Sequence, residues 1–168
     1  MGDPASSAPP APRRVLVDAL NVAHWCGRRP ELRLPLALLA ALQGQGLAAC
    51  LYFDASARHR FAGDTESYTA LRQFGSLCVE VPAGRTADGV LLREARATAA
   101  RIVSRDHFSD HRRRYRKLID EPGRVLTGFV RDDALQLPEL QLHMPLPASA
   151  AQALALLQWP PVCVTVPT

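Results

Sequence analysis

The chain has 168 residues, of which 48% are apolar, so it can fold as one domain with a buried core. No apolar run reaches the ~18–20 residues of a membrane span, and the N-terminus lacks the basic-then-apolar order of a signal peptide. The net charge of +4 is carried almost wholly by arginine, which suits an anionic partner, and the four cysteines (Cys26, Cys50, Cys78 and Cys163) have neither metal-ligand nor disulfide-framework spacing, as expected for a cytoplasmic protein.

Residues 1–13, rich in Pro, Ala and Ser, read as a disordered leader. Val15, Leu16 and Val17 form an unbroken apolar run that stops at Asp18, the pattern of a parallel strand buried on both faces. Residues 24–30 read as a loop, and 32–43 as a helix with Leu34, Leu38 and Leu42 on one face, ended by Gly44 and Gly46. A second buried strand over 47–53 ends at Asp54. A basic loop over 58–61 precedes a helix over 64–74 with an acidic first turn. The third strand covers 77–81. Thr86 is placed as the N-cap of a helix over 87–97, a fourth strand follows at 99–103, a very basic helix at 106–118 and a fifth strand at 124–130. Residues 135–147 read as an extended, Pro-punctuated segment wrapping the domain, 148–158 as a short helix and 162–166 as strand-like. Strands and helices alternating at this rhythm predict an α/β fold: three layers, a central mainly parallel sheet of about five strands, and helices on both faces. The expected boundaries are a domain over 14–145 and an extension over 146–168, through which a second copy or another protein could dock.

The acids are placed systematically. Asp18 and Asp54 end strands, Asp88 lies in a first helical turn, and Asp106 follows the fourth strand, with Asp110 four residues on. In the usual order of such sheets the first and fourth strands are neighbours at the topological switch point, so Asp18 and Asp106 are expected to meet there, with Asp88 and Asp110 close by and Asp110 on one helix face with Asp106. Each of these positions also suits a turn or helix cap on its own. Ionised carboxylates gathered together repel and call for a cation, and oxygen-only ligands point to Mg²⁺, with Mn²⁺ as its substitute, an ion that serves phosphoryl chemistry by activating water and neutralising the attacked phosphate. Arg58, Arg60 and Arg112 are candidate phosphate contacts beside such a site. A phosphate-binding G-x-x-x-x-G-K-[ST] loop, a G-x-G-x-x-G turn and a G-x-S-x-G elbow are all missing, which removes the support for triphosphatase, dinucleotide and serine-hydrolase readings.

Three segments carry a family resemblance. Val17-Asp18-Ala19-Leu20-Asn21-Val22-Ala23 is similar to an opening strand of the form D-G-S-N-V-A. Val103-Ser104-Arg105-Asp106-His107-Phe108-Ser109-Asp110 is similar to V-S-N-D-x-[YF]-x-D, and Arg124 to Asp132 is similar to R-x-L-x-x-F-V-x-D. The chain thereby resembles the NYN domain of the PIN-like nuclease superfamily, in particular the regnase-type ribonucleases. The resemblance implies an Mg²⁺-dependent endoribonuclease acting on single-stranded or loop RNA, with Asp18, Asp88, Asp106 and Asp110 as the acidic metal site and Asn21 positioning Asp18 or its waters. It also implies a departure: where the family often has two adjacent acids before the middle helix, this chain has Ala87-Asp88, and Ala19 and Leu20 replace the opening glycine and serine. The alternative is a weakened NYN module that binds RNA or a protein without cutting.

Overall fold

Five β-branched and aliphatic runs stack side by side to make the centre of the molecule, seen in a computed structural model that describes residues 13–159. In chain order the elements are β1 (Arg14–Asp18), α1 (Ala19–Ala23), α2 (Arg33–Gly44), β2 (Ala48–Phe53), α3 (Ala57–Arg60), α4 (Thr65–Arg72), β3 (Cys78–Glu80), α5 (Ala87–Thr98), β4 (Arg101–Val103), α6 (Arg112–Asp120), β5 (Val125–Leu126), β6 (Phe129–Arg131), β7 (Ala134–Leu137), β8 (Leu142–Pro145) and α7 (Ala150–Ala155). The main sheet has the order β3-β2-β1-β4-β5 and every pairing in it is parallel. The expected α/β architecture is therefore present, and β1 and β4 are the neighbours on which the site argument depended.

Alternation along each strand sorts the core into two layers, because successive side chains point to opposite faces. Val15, Val17, Leu51, Phe53 and Val103 pack with α1, α2, α4 and α7 on one face. Leu16, Cys50, Tyr52 and Ile102 pack with α5 and α6 on the other. Pro35 is accommodated in the first turn of α2, where its missing N–H has no helical partner to lose. Thr86 caps α5 as predicted, its hydroxyl accepting from the Gly89 N–H at 3.2 Å.

Five segments differ from expectation. The short α1 follows β1 directly, because the Asp18 carboxylate accepts the Asn21 N–H and so caps a helical turn. The basic segment after Asp54 is a one-turn helix, α3, not a loop. The fifth strand divides in two. Val125 and Leu126 pair with β4, and the chain then leaves the sheet at Gly128, whose carbonyl accepts from the Arg105 guanidinium instead of a neighbouring strand. Beyond it β6, β7 and β8 form a separate antiparallel sheet, so the segment expected to wrap in extended form is a three-stranded layer with Leu135, Leu137 and Leu142 buried in the core. The predicted helix 106–118 starts later, with a 3₁₀ turn at Ser109–His111 and α6 from Arg112. Here the Asp106 carboxylate takes the Phe108 N–H and Phe108 is left-handed at φ 51°, a side-chain-to-backbone bond that competes with helix.

The short helix expected over 148–158 is α7, capped by Ser149, with Ala150, Ala153 and Leu157 packed into the same core as α2. The leader up to residue 12, the strand-like run 162–166 and Cys163 lie outside the described residues.

Candidate functional site

The site grows from the register of β1 on β4. Val17 pairs with Val103, so the next residue of each strand, Asp18 and Ser104, emerge together at the C-terminal edge of the sheet. The Ser104 hydroxyl donates to Asp18 Oδ2 at 2.9 Å and accepts the Asp106 N–H at 3.0 Å. One hydroxyl thus ties two of the predicted acids together. Asn21 makes the second tie. Its Oδ1 accepts both the Trp25 indole N–H at 3.1 Å and the Arg105 backbone N–H at 2.9 Å. Arg105 in turn lies over the Trp25 ring, 4.9 Å from its centroid. The Asn21 backbone N–H thus binds Asp18, while its side chain clamps the loop that carries Asp106.

Asp18, Asp54, Asp88 and Asp106 line one cavity of about 640 Å³, with Asn21, Thr86 and Ala87 in the same wall. The four acids come from β1, the turn after β2, the first turn of α5 and the loop after β4. Asp110 is not among the lining residues. The expectation that it shares a helical face with Asp106 is corrected, since Asp106 precedes any helix. Asp54 is engaged locally, accepting from both the N–H and the hydroxyl of Ser56.

The charges are poorly neutralised. Burial pushes the Asp18 carboxyl up to about 7, and the neighbouring Asp88 and Asp106 add to the rise, while the Ser104 hydroxyl and the Asn21 N–H oppose it. Asp88, half-buried, is raised first by burial and then by Asp106, with smaller contributions from Asp110 and Asp54, and His111 opposes the rise. The acids surround the cavity without meeting at one point: among the described residues no three His, Cys, Asp or Glu side chains form a group that could hold an ion as they stand. The donor chemistry, oxygen only and in excess negative charge, nevertheless fits a hard divalent cation.

Of the three candidate phosphate contacts, Arg58 pairs with Glu80 at 3.0 Å, where Arg72 and the Tyr68 hydroxyl also converge, and Arg112 pairs with Asp120. Arg60 is exposed on α3, and among the described residues it has no ion pair. Ser104 and Trp25 carried no expectation from the sequence. For Ser104 a signal was available, because in neighbouring parallel strands of matched register the residues that follow the apolar runs face each other.

The sequence profile of the Zc3h12a-like ribonuclease NYN domain matches residues 11–147, most of the chain. The chain belongs to this family. No curated protein matches the sequence. Among solved structures, the Arabidopsis thaliana nuclear protein-only RNase P 2 is similar with a TM-score of 0.59 and 14% identity, over 82% of this chain and 31% of that one. At that identity the likeness shows the α/β fold alone, and the chain spans under a third of that protein's length. In this NYN domain the matched region runs from residue 11 to just past β8, so it takes in all four cavity acids and every helix of the described residues except α7.

Proposed function

We propose that this NYN domain is an endoribonuclease that hydrolyses phosphodiester bonds of single-stranded or loop RNA and depends on Mg²⁺ or Mn²⁺. Membership of a ribonuclease domain family supports the reaction class. The observation that carries the site is the convergence of Asp18, Asp88 and Asp106, from three separate elements, on one cavity at the switch point of the sheet.

Asp18, Asp88 and Asp106 would hold the ion, with Asp110, outside the cavity lining, in water-mediated support. When bound, such an ion supplies Lewis-acid activation and charge neutralisation at the phosphate. The chain's own residues do the rest. Ser104 and the Asn21 N–H orient the two Asp18 oxygens. The Asn21–Arg105–Trp25 clamp holds the Asp106 loop against α1. Asp18 carries a proton up to about pH 7, so taking up a cation there releases that proton. Of the predicted set, Arg60 is exposed and without an ion pair among the described residues, and so would be available to a phosphate.

The test is cleavage of a labelled single-stranded RNA across a Mg²⁺ and Mn²⁺ titration with a chelator control. Asp18→Asn is expected to abolish metal-dependent cleavage while leaving the fold intact. Undiminished cleavage by that variant would sink the site assignment. The second reading, a module that binds without cutting, is favoured by one observation. Ala87 borders the cavity where a family acid would add charge, and Asp54, the neighbour able to replace that charge, is tied to Ser56. Salt-sensitive RNA binding with no cleavage at any metal concentration selects this reading.

A further inference from the structure

A second cavity, of about 580 Å³, lies between the C-terminal half of α5 and α6, away from the acids. Arg96, Arg113, Arg114 and Lys117 line it around Tyr115. A regular helix turns successive residues through its whole circumference, but α6 breaks at Tyr115 (φ −118°, ψ 20°), and all six residues from 113 to 118 border this one space. The buried Tyr115 ring is flanked by two guanidinium groups, with Arg96 at 4.7 Å and Arg114 at 5.6 Å from its centroid. Arg116 and Arg124, which also line the cavity, are neutralised by Asp120 and Glu121. Among the described residues no acid lies within ion-pair distance of Arg96, Arg113, Arg114 or Lys117. Four like charges gathered in a concave space repel one another and are relieved by an anion.

We propose that this cavity binds backbone phosphates of an RNA strand at a distance from the acidic cavity, as an anchoring subsite. The choice of RNA rests on the ribonuclease reading. Three features favour a nucleic-acid strand. Guanidinium groups meet phosphate bidentately. Two of them are already laid on an aromatic ring, as planar surfaces on which a base can stack. The helix itself makes the connection, since α6 begins directly after the loop and turn that carry Asp106 and Asp110, and its nine residues lead about 13 Å along the domain, the reach of several phosphates.

The experiment compares a single-stranded 20-nucleotide RNA with a 6-nucleotide one. Binding is measured in chelator across a salt series, and cleavage is measured in Mg²⁺. Two double variants are used, Arg113→Gln with Lys117→Gln, and Arg96→Gln with Arg114→Gln. A charge-matched control is Arg13→Gln with Arg131→Gln, at exposed positions outside both cavities. Each cavity variant is expected to bind the long RNA about tenfold more weakly near physiological salt and to lower the slope of log K against log salt by about 1.4, from two phosphate contacts at ~0.7 each. Cleavage of the short RNA stays at the wild-type rate. Equal loss in the control, unchanged binding of the long RNA in both cavity variants, or displacement of the RNA by an acidic peptide at equal or lower concentration overturns the proposal. If neither RNA is cleaved but the cavity variants still lose binding, the ribonuclease reading fails and the subsite stands.

Discussion

Ser104 does more than its size suggests. Its single hydroxyl serves Asp18 and Asp106 together, so Ser104→Ala removes a donor from a buried carboxylate and leaves the Asp106 N–H without its partner. Leaving such groups unmade costs about 1–3 kcal/mol. The donor favours the ionised form of Asp18, so the loss is expected to be larger at pH 8 than at pH 5, and the Asp18 carboxyl should titrate still higher. Denaturant melts at the two pH values, with carboxyl-carbon titration by NMR, check both outcomes. A pH-independent loss would mean that the hydroxyl matters only for packing. The arginines teach the complementary lesson. Arg58 and Arg112 look identical to Arg60 in sequence, yet two of the three are committed to Glu80 and Asp120. Whether an arginine is free is a property of its surroundings.

The parting of β5 and β6 at Gly128 is what frees the chain to build its second sheet. A Cβ at this position would lie 2.5 Å from the Gln136 carbonyl oxygen and 2.6 Å from the Trp25 ring. The first is backbone, and the second is an indole held by Asn21 and covered by Arg105, so neither can give way cheaply. Gly128→Ala is therefore expected to destabilise the fold by at least the 1–3 kcal/mol typical of overpacking. It should also loosen the clamp on the Asp106 loop. A thermal melt and the tryptophan emission spectrum read the two effects, and a variant as stable as the parent would contradict the close approach of β6 to Trp25. The same element explains why one expected strand became two. Pattern alone cannot tell a strand that continues from one that changes partner, since both need the same apolar residues.

At the scale of the molecule, the sheet order gathers acids that sequence spreads over nearly ninety positions, and this has a cost that depends on pH. Asp18 titrates near 3.8 when unfolded and at about 7 when folded. The folded state therefore binds its proton more tightly, and the contribution of this group is most favourable below pH 3.8 and is lost as pH rises towards and through 7. At about 1.4 kcal/mol for each pH unit between those values, the loss is on the order of 4 kcal/mol. Asp88 is shifted in the same direction. A cation held by the ionised acids relieves this penalty. Added Mg²⁺ is thus expected to raise the melting temperature more at pH 8 than at pH 5, and Asp18→Asn to flatten the pH profile and stabilise the domain at pH 8. Thermal melts with and without Mg²⁺ decide it. An equal shift at both pH values, or none, would remove the ionised cluster as the ion's binding site.

The sequence by itself determined the α/β class, the buried parallel strands, the Thr86 cap and the family pattern around Asp18 and Asp106, because each of these is written in residues a few positions apart. Even the meeting of Asp18 with Asp106 was legible, since few strand orders are open to such an alternation. Only the tertiary structure decided that Asp110 stands outside the cavity, that Ser104 and Asn21 bind the acids into one unit, that the fifth strand divides, and that Arg96 of α5 and Arg114 of α6 flank Tyr115. The physical reason is range. A cap or an apolar run is settled by neighbours along the chain, whereas the bond between Ser104 and Asp18 joins residues 86 positions apart and exists only once β4 lies beside β1.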